Sequence, residues 1–147
     1  MTSAESRIEG SYVTPSLEHA VVKDAMRPEV LTCPPGAALR EVARTMASEH
    51  VHSVVVSGGV EGERKWGIVT DMDLMRAARE NMDERTAARA AVSEFLSVSP
   101  DAPLDRAVQM MIDHDVTHLV VVDPQSDKAV GVISTLDVAG LLAWGRA

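Results

Sequence analysis

Aromatic residues make up only 3% of this 147-residue sequence, cysteine occurs once, and basic residues are outnumbered by acidic ones, 14 to 22. With so few rings, the core must be aliphatic, built from Val, Ile, Leu, Ala and eight Met within a hydrophobic fraction of 46%. A chain of this length suits one compact domain or two small halves sharing a core. It buries roughly 68–70% of its unfolded surface, so no disulfide or metal staple is needed. The lone Cys33 excludes an intrachain disulfide and fits a reducing compartment. No apolar run approaches the roughly 18 residues of a membrane span, and the polar "MTSAESRIEGSY" has no apolar signal region. A soluble cytoplasmic protein is expected, with no membrane contact. The net charge of −8 leaves no basic face for nucleic acid. It also repels a polyanionic small molecule unless a local site overcomes the field.

What the sequence does contain is a duplication. "GIVTDMDL" (67–74) recurs as "GVISTLDV" (131–138), pairing Gly67 with Gly131, Thr70 with Ser134 and Asp73 with Asp137, 64 residues apart. Upstream, at a spacing of 65, "LREVARTMASEHVHSVVV" (39–56) aligns with "LDRAVQMMIDHDVTHLVV" (104–121), and "TCPPGAAL" (32–39) with "SVSPDAPL" (97–104). The one-residue slip falls in a loop, where an insertion is tolerated.

Each half reads the same way. A short strand near Val30–Cys33 or Ser97–Val98 ends at proline. A helix follows, with its apolar stripe at Leu39, Val42, Ala43 and Met46, or at Leu104, Ala107, Val108 and Met111. Val54–Val56 and Leu119–Val122 are short and β-branched, hence buried strands. Turns at Gly58-Gly59 and Asp123-Pro124 lead to Trp66–Val69 and Ala129–Ile133, after which Thr70 or Ser134 opens a second helix. The order β-α-β-β-α, twice, predicts an α/β (α+β) fold of two small sheets with helices packed outside. The expected divisions are a flexible N-terminal arm (1–15), a first repeat (16–78), a helical linker (79–91) and a second repeat (92–147). Within these, "SLEHAVVKDAM" (16–26) is predicted to be a helix capped by Ser16, and 75–93 to extend the helix begun at Thr70.

Thr70 followed three residues later by Asp73 matches a capping box with Asp in place of Glu or Gln. The same geometry can bind. A helix N-terminus favours negative charge, and a carboxylate one turn in can accept hydrogen bonds from the vicinal hydroxyls of a ribose. Local chemistry leaves cap and binding corner open, and the two are compatible.

The duplicated unit, its Val-rich strand, and Gly-x-x-[Ser/Thr]-x-x-Asp closing each half resemble a tandem pair of CBS domains, a Bateman module, over roughly residues 22–143. "KDAM" (23–26) ahead of "VLTCPPGAAL" is similar to that family's entry segment. The resemblance implies two β-α-β-β-α units related by a pseudo-twofold, with a cleft on each side. It implies an adenosyl ligand (AMP, ADP, ATP, S-adenosylmethionine, sometimes NAD(H)) and frequent pairing into a homodimer. By position it places Asp73 and Asp137 on the ribose, and Thr70 and Ser134 beside phosphate, with Asp71 in the same motif. Thr32 and Ser97 fall near the base, His52 and the pair Thr117 and His118 toward phosphate, and backbone groups of Val54 and Leu119 near adenine. One departure matters: related proteins often carry Arg where Met72 stands, so the sites lack a strong arginine pair. That favours ligands of little phosphate charge, or occupancy of one cleft.

His50, His52, His114 and His118 have ligand-like spacings, yet the repeat does not superimpose them and no cysteine pairs accompany them, so no metal site is assigned. Asp113 and Asp115, at a helix end, read as surface charges, and Cys33 beside two prolines as no nucleophile. Met46, Met110 and Met111 read as core filler. Trp66 is expected to begin a strand, and Trp144 to pack on the domain or on a partner. The expected function is therefore a stand-alone regulatory sensor, with no catalytic residues and no obligatory cofactor, signalling to an unidentified effector protein. The competing expectation is a ligand-free structural or dimerisation module whose Asp73 and Asp137 serve only as caps.

Overall fold

The computed structural model describes residue 17 and residues 19–57, 67–80, 82–91 and 96–144. The expected N-terminal arm, the Ser16 cap, the Gly58-Gly59 turn and the strand start at Trp66 lie outside the described residues. The chain forms two compact units, one spanning 30–96 and the other joining the residues up to Glu29 with those from Ser97 onward.

In the unit of residues 30–96, β1 (Thr32–Cys33) runs parallel to β2 (Ser53–Val56), which pairs antiparallel with β3 (Gly67–Thr70). Every residue of β2 and β3 is buried, which is why these strands read as unbroken apolar runs. Helix α1 (Leu39–Glu49) buries Leu39, Val42 and Met46, the predicted stripe, against Val54, Val56 and Val69. Helix α2 (Asp71–Ala77) adds Leu74 and Ala77 to that core, and α3 (Ala87–Ala90) adds Ala87 and Ala90.

The other unit repeats the plan. β4 (Ser97–Val98) is parallel to β5 (His118–Asp123), which is antiparallel to β6 (Lys128–Ser134) with a register shift at Val121/Val122. Helix α4 (Leu104–His114) buries Leu104, Ala107 and Met111, and α5 (Thr135–Trp144) buries Val138 and Leu141. Both long helices stop alike, at residues 65 apart. His50 and Asp115 adopt the left-handed conformation (φ 58 and 55), and the amides of Val51 and Val116 reach back to the Met46 and Met111 carbonyls. His50 is thus a helix terminator.

The segment preceding each repeat folds onto the other repeat's helix entry. Val22 N donates to Ala102 O and Leu104 N to Ala20 O, while Ala87 N donates to Ala37 O and Leu39 N to Arg85 O. Residues 20–22 and 85–87 are again 65 apart. Further along, Arg27 exchanges backbone hydrogen bonds with Val132 on the edge of β6.

These contacts account for two departures from the sequence expectation. Among the described residues of the helix predicted up to residue 26, the helical part is a three-residue 3-10 turn, Val22–Asp24. Val21 is extended, bridged to Pro103, with its amide held by the Asp24 carboxylate. The helix expected to extend into 75–93 before the chain crosses over to the second half ends at Ala77. After it come a 3-10 turn (Met82–Glu84) and the short α3, capped by Thr86, which itself bridges to Ala38. In both places, backbone partners distant in sequence replace the local helical bonds. Among the described residues no helix is long and apolar enough to cross a membrane.

Candidate functional site

Thr70 closes β3, opposite Ser53 on β2, and is the extended N-cap of α2. Its hydroxyl accepts from Asp73 N (3.2 Å), and its amide donates to Asp73 Oδ2 (2.9 Å), a complete capping box. The amide of Asp71 donates to the His52 carbonyl at 2.9 Å, and His52 Nδ1 lies 2.9 Å from Asp71 Oδ2. Strand pairing and cap together therefore gather His52, Thr70, Asp71 and Asp73 at one end of the sheet. Thr32 lies farther along, on β1 opposite Val55, and the Val54 side chain is buried.

An arginine joins this corner. Arg76 Nη1 donates to Asp73 Oδ1 at 3.0 Å, and the Asp73 side chain has 0% exposure while that of Arg76 has 61%. Sequence reasoning missed this arginine. Position 72 holds an exposed Met, but a cation three residues after the Asp is within reach on the same helix face. The spacing Asp73-x-x-Arg76 was the available signal.

The second corner is built alike from β5, β6 and α5. Ser134, opposite His118, donates its amide (2.9 Å) and hydroxyl (3.1 Å) to Asp137 Oδ2, and its hydroxyl accepts from Asp137 N (3.2 Å). Thr135 N donates to the Thr117 carbonyl (3.0 Å), and Thr117 Oγ1 is 2.9 Å from His118 Nδ1. Ser97 is exposed on β4, and Leu119 is fully buried, so only its backbone is available. The residue equivalent to Arg76 is Gly140. Asp137 and Gly140 line a groove of about 590 Å³ along α5, with Asp24, Leu136, Leu141 and Trp144 among its walls. Sequence reasoning missed this groove, because Asp24 reaches it only through the exchanged N-terminal segment.

The Cys33 thiol is half-buried and burial pushes its pKa up, the opposite of activation. Among the described residues no three His, Cys, Asp or Glu side chains converge to hold a metal ion. The arrangement can accept hydrogen bonds from a polar ligand and order it against a helix start.

The family model for the CBS domain matches residues 22–80 and 88–143. The chain is 31% identical over 120 residues to the CBS domain-containing protein YhcV of Bacillus subtilis, covering 80% of this chain and 82% of YhcV. Among solved structures, the CBS domain protein PAE2072 of Pyrobaculum aerophilum, complexed with AMP, superposes with a TM-score of 0.70 at 25% identity, covering 84% of this chain and 98% of that one. The CBS domain pair of protein MJ0100, in complex with 5′-methylthioadenosine and S-adenosyl-L-methionine, gives a TM-score of 0.72 at 20% identity over 84% and 96% of the two chains. A homoserine O-acetyltransferase of Methanohalophilus mahii is 30% identical over 134 residues, but the chain spans only 26% of that protein.

Proposed function

The chain belongs to the CBS-domain family, and on that premise we propose that it is a regulatory module that takes an adenosyl ligand at a Ser/Thr-x-x-Asp corner. It reports the ligand's level to an effector protein and has no catalytic role. The observation carrying this reading is the duplicated corner itself. Each half sets a carboxylate one turn into a helix beside a hydroxyl, the kind of acceptor that a ribose hydroxyl uses. AMP in PAE2072, and 5′-methylthioadenosine with S-adenosyl-L-methionine in MJ0100, support that ligand class. Signalling works by population shift: the ligand stabilises one conformation over others in proportion to its differential affinity.

A second reading has its own observation. Asp73 is fully buried and hydrogen-bonded within its helix, as a purely structural cap would be. Melting temperature with AMP, ADP, ATP, S-adenosylmethionine and NADH separates the two. Ligand at 100 times its dissociation constant adds about 2.7 kcal/mol. No shift with any of them at millimolar concentration leaves only the structural module.

The partner proposed alongside is a second copy of the chain. Met72 and Met75 on α2, and Leu142 on α5, are exposed apolar side chains that a homodimer would cover. A monomeric mass by light scattering would overturn this part.

A further inference from the structure

The two corners share a cap but differ in what else holds the aspartate. In the first, Oδ2 of Asp73 accepts from the Thr70 amide and Oδ1 from Arg76, and none of the side chain is exposed. A ribose donates through two adjacent hydroxyls and needs an accessible carboxylate oxygen, which this corner does not present. In the second, Oδ2 of Asp137 takes both Ser134 donors, and Oδ1 meets no donor among the described residues. The side chain that would claim it is missing, because residue 140 is glycine. A β-carbon there would meet nothing within 4 Å, so the space an arginine would occupy is part of the groove. That groove, about 590 Å³, lies within the usual size of small-molecule sites, roughly 300–1,000 Å³. Among the described residues its walls carry two carboxylates, Asp24 and Asp137, and no Lys, Arg or His. Asp137, Gly140, Leu141 and Trp144 recur at helical spacing along one face of α5, and Trp144, 81% exposed, offers an aromatic ring at the far end.

We propose that Arg76 closes the first sugar corner by occupying Asp73, and that Gly140 leaves Asp137 open, so that each chain takes one adenosyl ligand, in the α5 groove. Because the described walls of the groove carry two carboxylates and no cation to neutralise phosphate, the ligand is a neutral or cationic nucleoside derivative in preference to a nucleoside triphosphate. This rests on the adenosyl reading of the family corner and chooses between its halves and among its ligands.

Calorimetric titration of the full chain with S-adenosylmethionine and with ATP tests it. The expected result is one site per chain for S-adenosylmethionine, at least about tenfold tighter than for ATP. Gly140→Arg, which rebuilds the Asp-x-x-Arg pair on α5, should weaken binding about tenfold or more, as loss of a charged hydrogen bond does. It should leave the melting temperature of the free protein no lower, which separates a blocked corner from a damaged fold. Arg76→Ala should keep the Asp137 site and add a second. Unchanged affinity in Gly140→Arg, loss of binding in Arg76→Ala, or tighter binding of ATP overturns the proposal. If neither wild type nor any variant binds either probe, the adenosyl reading itself fails and this inference falls with it.

Discussion

A β-carbon on Gly131 would lie 2.6 Å from the carbonyl oxygen of Arg27 and 2.8 Å from Sδ of Met26. Glycine at this point of β6 is what lets the N-terminal segment lie against the edge strand, and the nearest atom is backbone, which has little room to yield. Gly131→Ala should therefore lower stability by about 1–3 kcal/mol in urea unfolding. Gly140→Ala is the control. With open space around it and a helical position, it should raise stability by about 0.5–1 kcal/mol. Equal effects from the two would show that the Arg27 contact does not constrain Gly131.

The cap on α2 gives a second expectation. Thr70→Val keeps the shape but removes the hydroxyl that receives the Asp73 amide, leaving a buried donor without that acceptor. A loss of about 0.5–2 kcal/mol is expected by chemical denaturation, with an unchanged m-value. A loss below a few tenths would mean that Asp73 and Arg76 hold the helix start without it.

Leu104 is fully buried at the start of α4, and its amide is bound to Ala20 of the N-terminal segment. Leu104→Ala should cost about 2–5 kcal/mol. Exposed Leu136→Ala, on α5, should change stability by no more than about 0.5 kcal/mol. Thermal melts of both variants check the contrast.

Burial raises the Cys33 pKa in the folded protein, so folding favours the protonated thiol. The folded state then binds more protons than the unfolded state in the alkaline range. The associated stability is fully present below the ordinary thiol pKa and is lost as pH rises through the folded value. Unfolding measured from pH 7 to above the thiol range should show that decline, and Cys33→Ala should flatten it. An identical slope in the variant would assign the decline to other groups.

The duplicated order of elements was legible because it rests on local signals: the stripe of Leu39, Val42 and Met46, the unbroken Val54–Val56, and a hydroxyl three residues ahead of an aspartate. Capping is local too, so both corners could be located from spacing alone. What the sequence hid depends on distant partners. Val21 is extended because it bridges to Pro103, and the chain after Ala77 cannot stay helical where Thr86 bridges to Ala38. Nothing near either residue in sequence announces this. The difference between the corners was written in the sequence as Arg76 against Gly140, but its meaning needed the helix. Only there does the residue three places on fall over the carboxylate, while position 72 points away.

The exchange of entry segments also sets an order of assembly during synthesis. The unit of residues 30–96 is continuous and can close its core as soon as that stretch has left the ribosome. The other unit joins residues up to Glu29 to residues from Ser97 onward, so Val22 must wait for Ala102 and Leu104 to emerge. Its loop closure spans the whole first-formed unit, which makes it the high-contact-order, later-folding part of the molecule. Until the C-terminal half emerges, the apolar Val21-Val22 of the nascent chain is left without its partners Ala102 and Pro103, and that interval is when chaperone capture and misassociation have their opening.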